Sequence, residues 1–134
     1  MDFRTHLKEG KIREVKKDII RAKSLMKSSK QAVDTSKLIP LNENTCKTIF
    51  RELYEGLREY CEALGYLHGY KFFDHLSITY FLKEIINKGE IAKKFDRLRK
   101  IRNGINYYGE DLNLETVEEA SKEIPKIIKE LETI

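Results

Sequence analysis

Tryptophan is absent from this sequence, and proline, cysteine and histidine are scarce at two, two and three copies among 134 residues. Few prolines and only seven glycines leave little of the turn chemistry that a chain of short strands needs. Two cysteines, Cys46 and Cys61, have no metal-ligand spacing, and both fall within helical patterns. They read as reduced core thiols of an intracellular protein. The histidines His6, His68 and His75 stand apart from one another. A zinc or di-iron site needs clustered His and carboxylates on facing helices, and the Glu-x-x-His element of di-iron bundles is missing. His68 and His75 are expected at helix ends. No apolar run approaches the roughly 18 residues of a membrane span, and the opening stretch MDFRTHLKEGKIREVKKD is too charged for a signal peptide. The expected location is therefore the cytoplasm. Phosphate-cradling GxxxxGK[ST] and GxGxxG loops and the zinc motif HExxH are also missing. No Ser-based or Cys-based triad can be assembled, and neither metal nor cofactor is expected.

What is abundant is Lys, Leu, Ile and Glu in helical periodicity, in a length that suits one domain spanning 1–134. Ile12, Val15, Ile19, Ala22, Met26, Ser29 and Val33 recur three and four residues apart and predict a first helix over 10–33. Leu38 to Asn44 contains Pro40 and two Asn residues and reads as a connection, with Asn42 or Asn44 as the next N-cap. The cleanest seam follows: Cys46, Phe50, Leu53, Leu57, Tyr60, Leu64 and Leu67, a helix that Gly65 and Gly69 weaken near 67–70. A third helix spans about 74–87, capped by Asp74 and ended by Lys88-Gly89. A fourth runs from about Glu90 to Gly109. After a short loop, Asn113 caps a last helix with Val117, Ala120, Ile124, Ile127, Leu131 and Ile134 in register. Pro125 is expected to kink or split it. No strand pattern competes and no internal repeat occurs. The expected class is all-α, a five-helix up-and-down bundle.

Charge is uneven. Residues 1–37 carry 11 basic and 5 acidic groups, residues 88–102 carry 7 and 2, and residues 103–134 carry 3 and 8. Positive segments suit a phosphate-bearing partner, but on charge alone a solvated face balanced by the acidic tail is the preferred reading. The aromatic residues mostly lie on helix seams, where core packing accounts for them. Tyr107 and Tyr108 differ, because they adjoin the unusual stretch Arg97–Gly109, RLRKIRNGINYYG.

In that stretch Leu98, Ile101, Ile105 and Tyr108 form an apolar face. Arg102 lies on its margin, where a guanidinium requires partners. Asn103 follows directly and Asn106 comes one turn later. Gly104 costs roughly 1 kcal/mol relative to Ala inside a helix, which suggests that something approaches the backbone there. The motif resembles the HEPN family (higher eukaryotes and prokaryotes nucleotide-binding helical domains). Its signature is an Arg, usually followed by a polar residue, with a His four to six residues later on a late helix. Arg102 and Asn103 match the first half. The preceding FDRLRKIRN and the loop into an amphipathic last helix are similar too, and the helix pattern agrees from about Lys11 onward. The sequence departs from the family at the His, whose interval holds Tyr107, Tyr108 and Gly109.

In active family members the Arg and His support metal-independent RNA cleavage. Tyrosine, with an ordinary pKa near 10, is a poor base at neutral pH. The resemblance therefore implies recognition of RNA or a nucleotide through Arg99, Arg102, Asn103, Asn106 and Tyr107 more than catalysis. It implies a homodimer with a shared cleft, in which Gly104 permits close approach, and a small nucleotidyltransferase as a partner in a toxin–antitoxin pair. Two other readings stand beside it: a ribonuclease toxin using Arg102, Asn103 and Tyr107, and a helical adaptor in which Arg102 only satisfies buried acceptors.

Overall fold

A computed structural model describes residues 1–107 and 111–134, with the backbone alone for Asn106 and Tyr107. The expectations attached to the side chains of Asn106 and Tyr107, and to Tyr108 and Gly109, lie outside the described residues. In chain order these residues form α1 (Phe3–Lys8), β1 (Ile12–Glu14), α2 (Ile19–Ser36), α3 (Cys46–His68), β2 (Tyr70–Phe72), α4 (Leu76–Glu84), α5 (Gly89–Tyr107) and α6 (Leu114–Glu132). The architecture is mostly helical, as expected. It has six helices and a two-stranded sheet among the described residues, where five helices and no strand were expected.

The first expected helix, 10–33, is in fact a strand followed by a shorter helix, with the separate α1 before them. Gly10 takes a left-handed φ of 78° after α1 and ends it. Ile12, Arg13 and Glu14 then pair antiparallel with Phe72, Lys71 and Tyr70. Asp18 accepts a bond from the Arg21 N–H at 2.9 Å and starts α2. Ile12 is 1 % exposed, so its apolar character is satisfied by the ribbon. The three-residue step to Val15 carried no helical information. The helix moment read over 10–18 was a coincidence of spacing, overridden by a tertiary strand pairing.

α3 is the axis of the molecule. Its seam residues Cys46, Phe50, Leu53, Leu57, Tyr60 and Leu64 are all buried, and α2, α4, α5, α6 and β2 all pack against it. Burying one Leu or Phe side chain stabilises by about 1.5–3 kcal/mol, so this face supplies much of the driving force for folding. The N-cap of α3 is Thr45 rather than the expected Asn42 or Asn44; Asn42 instead holds the turn before it, its Oδ1 accepting from the N–H groups of Asn44 and Thr45 at 2.8 and 3.1 Å. Gly69 ends α3 with φ 84° and returns its N–H to Gly65 and Tyr66. α2 lies close on α3 because Gly56 has no side chain. A Cβ there would stand 2.9 Å from Val33 Cγ2 and 3.1 Å from the Ser29 carbonyl. Ser29 uses the same approach to donate its hydroxyl to the Gly56 carbonyl at 2.6 Å.

α6 covers another side of α3 through Val117, Ala120, Ile124, Ile127 and Leu131, all buried. Asn113 caps it, accepting from the Thr116 N–H at 2.8 Å. Pro125 does not split it: the helix is continuous from Leu114 to Glu132. One missing hydrogen bond is outweighed by the buried residues Ile124 and Ile127, which hold both sides of the proline against α3. Cys46 and Cys61 are buried free thiols, and burial pushes the Cys61 thiol well above its ordinary range. No helix among the described residues is long and apolar enough to cross a membrane.

Candidate functional site

α4 and α5 form a helical hairpin whose turn carries Asn87 at a positive φ of 62°. The Lys88 N–H reaches back to the Leu82 carbonyl at 2.9 Å. α4 thus ends at Glu84, earlier than expected, and the chain reverses before Gly89. Reversal near residue 87 sets residues about twelve before the turn beside residues about twelve to fifteen after it. The N-terminal end of α4 therefore faces the second half of α5. Between them lies a polar cavity of about 510 Å³ lined by Phe73, Asp74, His75, Leu76, Arg99, Arg102 and Asn103. Three of the five residues expected to bind ligand meet here: Arg99, Arg102 and Asn103. The N-terminal end of a helix adds partial positive charge to the same space.

The basic run of α5 is not one patch. Arg97 donates to Glu123 of α6 at 2.6 Å, Lys93 lies 3.5 Å from Glu90, and Lys100 lies 3.1 Å from Asp96. Arg99 donates twice to Asp96, at 3.0 and 2.8 Å. Burial works against ionisation of Asp96, but the bonds from Arg99 and Lys100 outweigh it and hold the carboxyl below its ordinary range. Arg102 is different. It is half-buried, and no carboxylate pairs with it among the described residues. Its guanidinium carbon stands 5.8 Å from the centre of the Tyr54 ring. That cation–π contact offsets part of the desolvation but leaves the five N–H donors of the guanidinium largely unused.

Beneath the cavity, Tyr54 of α3 is fully buried, with its ring 5.7 Å from that of Phe95 and 5.7 Å from that of His75. Its hydroxyl is 2.9 Å from His75 Nδ1. Burial pushes the Tyr54 hydroxyl far above its ordinary range, so it stays protonated. A buried hydroxyl proton needs an acceptor, and His75 Nδ1 is the one within reach. This assigns the neutral His75 proton to Nε2, on a side chain that is only partly buried. His75 therefore offers the cavity a hydrogen-bond donor. Burial, then the charges of Arg58 and Arg102, push its pKa down to about 4.

A second polar cluster anchors this end of α4. The Ser77 hydroxyl donates to Asp74 Oδ1 at 2.5 Å and lies 2.7 Å from His6 Nδ1. Asp74 also accepts from the Ser77 N–H at 2.8 Å, the capping role expected of it. The residue types are those of a hydrolytic triad, but serine stands in the middle, is fully buried and points at the carboxylate, so it attacks nothing. His6 and His75 therefore do not stand alone, contrary to expectation. His6 ties α1 to α4, and His75 belongs to the cavity. Both His68, the last residue of α3 and 2.8 Å from the Leu64 carbonyl, and His75, at the start of α4, sit at helix ends as expected.

Phe73, Asp74, His75 and Tyr54 were not singled out in the sequence for this site. The available signal was the helical break at Lys88-Gly89: folding the pattern about it places 75 opposite 99 and 102. Gly104 is buried. A larger cavity of about 710 Å³ between α2 and α6 has an apolar floor of Met26, Val33, Tyr60, Pro125 and Ile128 and shares no residue with the polar one. Its rim carries Lys27, Lys30 and Lys129 together with Asp34 and Glu132, so charges of both signs surround the apolar floor. Among the described residues no group of three or more His, Cys, Asp or Glu is placed to hold a metal ion. No protein-family model, curated protein or solved structure matches this chain.

Proposed function

We propose that this chain is a HEPN-type helical protein that binds RNA or a nucleotide by its phosphate in the cavity between α4 and α5. The observation that carries this reading is Arg102: a half-buried guanidinium facing a polar cavity with no carboxylate against it. A phosphate oxygen pair is the partner that a guanidinium fork fits best. Arg99, pre-aligned by Asp96, the Asn103 amide and the His75 Nε2–H supply further donors around the same space. Asp74 stands on the opposite wall, but the Ser77 hydroxyl and N–H both bind its Oδ1. In this reading the six described helices are an elaborated HEPN bundle, the protein works in the cytoplasm as a homodimer, and a small nucleotidyltransferase is its partner.

Binding is favoured over cleavage by a specific observation. With Nδ1 accepting from Tyr54, His75 is a donor at Nε2 and cannot take the proton of an attacking hydroxyl there. The test is fluorescence anisotropy of a labelled single-stranded RNA at low and rising salt. Binding is expected to weaken steeply with salt, and Arg102→Ala is expected to abolish most of it with little change in melting temperature. If Arg102→Ala instead chiefly lowers the melting temperature, or if the wild type binds nothing at low salt, the adaptor reading replaces this one.

A further inference from the structure

Phe73 directly follows β2 and is 50 % exposed, an unusual position for a phenylalanine beside a well-formed core. Its backbone is fixed, because the Phe73 N–H donates to the Lys11 carbonyl at 2.9 Å and extends the ribbon by one rung. Strand alternation places Lys71 and Phe73 on one face. Arg13 pairs with Lys71 across the ribbon and shares that face, while Ile12 and Phe72 turn into the core. The Arg13 guanidinium lies 5.0 Å and the Lys71 ammonium 5.3 Å from the Phe73 ring centre. Two like charges directly opposite in a ribbon are destabilising, and no carboxylate pairs with either among the described residues. The fold gains only the two exposed cation–π contacts, each weak at the surface, against the repulsion of the paired charges. Phe73 also lines the cavity that holds Arg99 and Arg102, so the aromatic face and the guanidiniums belong to one continuous surface.

We propose that the ligand class of this surface is single-stranded nucleic acid, with one unpaired base stacked on Phe73 and the adjoining phosphates running from Arg13 and Lys71 to Arg99 and Arg102. The proposal rests on the phosphate-binding reading above and narrows it. An exposed cation–π contact is weaker than a base stacked on an aromatic ring. An incoming base therefore displaces a cationic side chain from the ring and frees it for the neighbouring phosphate. A duplex cannot use the platform without losing a base pair. Free inorganic phosphate uses only the guanidinium end.

The experiment compares three ligands by anisotropy at one low salt concentration: a single-stranded RNA, the same RNA as a duplex, and a strand of equal length lacking its bases. Wild type is expected to bind the single strand about tenfold more tightly than either of the others, the size of effect that one stacked base confers. Phe73→Ala removes that preference and leaves the salt dependence unchanged, whereas Phe73→Tyr retains it. Arg102→Ala weakens all three ligands together. The exposed ring makes Phe73→Ala tolerable to the fold, which circular dichroism verifies. If Phe73→Ala binds all three ligands as the wild type does while Arg102→Ala does not, the stacking platform is overturned and phosphate binding survives. If the wild type binds none of them, both fail.

Discussion

At the scale of single residues, the site turns on how neighbours set the state of each group. Arg102 has an aromatic face but no counter-charge, and His75 is held neutral by burial and by the guanidiniums of Arg58 and Arg102, with Glu55 opposing and Arg99 adding to them. The His75 pKa is depressed in the folded chain, from an ordinary 6.5 to about 4. Between those values the unfolded chain binds the additional proton, so stability rises with pH across the window and is lost as pH falls through it. Acidification from pH 6.5 to 4 is expected to remove on the order of 1 kcal/mol through this residue, after allowance for solvent screening of a half-exposed group. Urea unfolding of wild type and His75→Gln at both pH values measures it. A His75→Gln protein with the same pH dependence as wild type would contradict the assignment. Phosphate bound beside Arg102 should also raise the His75 pKa, because it cancels part of the positive field; a two-dimensional NMR titration with and without phosphate reads that shift. The same tautomer argument expects labelled RNA to remain intact when incubated with the wild type in EDTA. Rapid cleavage that disappears in Arg102→Ala would move the ribonuclease reading to first place, and Tyr107→His tests whether an imidazole in the family's interval restores such activity.

At the scale of elements, the close approach of α2 to α3 depends on Gly56. A methyl group there meets a Val33 side chain that can rotate and a Ser29 carbonyl that cannot move without shifting α2. Gly56→Ala is expected to destabilise by about 1–3 kcal/mol, the usual cost of overpacking. Gly89→Ala, at the start of α5 with nothing within 4 Å of the added carbon, should be neutral or slightly stabilising. Chemical denaturation of the two variants in parallel separates packing from helix propensity. The α4–α5 hairpin shows the same dependence of function on local structure. Asp74 caps α4, Asn87 turns the chain, and together they set the rotation at which His75 faces Arg102. Replacing Asp74 by Ala removes two hydrogen bonds at the cap and should weaken ligand binding through position as well as stability.

At the scale of the whole molecule, the three elements of the site rest on α3, which carries Tyr54 beneath the cavity and Gly65 against Phe72 of the ribbon. The HEPN reading expects a homodimer. Lys93, Arg97 and Lys100 of α5 are each paired with a carboxylate, which leaves Lys94 as the exposed cation of this face without one among the described residues; two copies meeting here would bring their Lys94 side chains together unless an anionic ligand lies between them. Self-association is therefore expected to strengthen when RNA is added and to weaken with salt. Sedimentation that shows a monomer at micromolar concentration with and without RNA would leave no basis for a shared cleft.

Helical class, the seams of α3 and α6, the caps at Asp74 and Asn113, the stop of α3 near Gly69, and the candidacy of Arg102 and Asn103 were determined by the sequence alone. Each depends on neighbours within one or two helical turns, and hydrophobic periodicity and capping chemistry act over that range. Three things were decided only in the tertiary structure. Ile12 to Glu14 became a strand because Tyr70 to Phe72 offered it a partner, an interaction across nearly sixty residues that no local spacing announces. Pro125 stayed inside an unbroken helix because α3 holds the residues on both sides of it. His75, which looked solitary, joined Arg102 because the chain reverses at Asn87 and because a buried tyrosine from a third helix fixes its proton. Periodicity shows which side of a helix is apolar, but which polar groups converge on one cavity depends on where the helices turn.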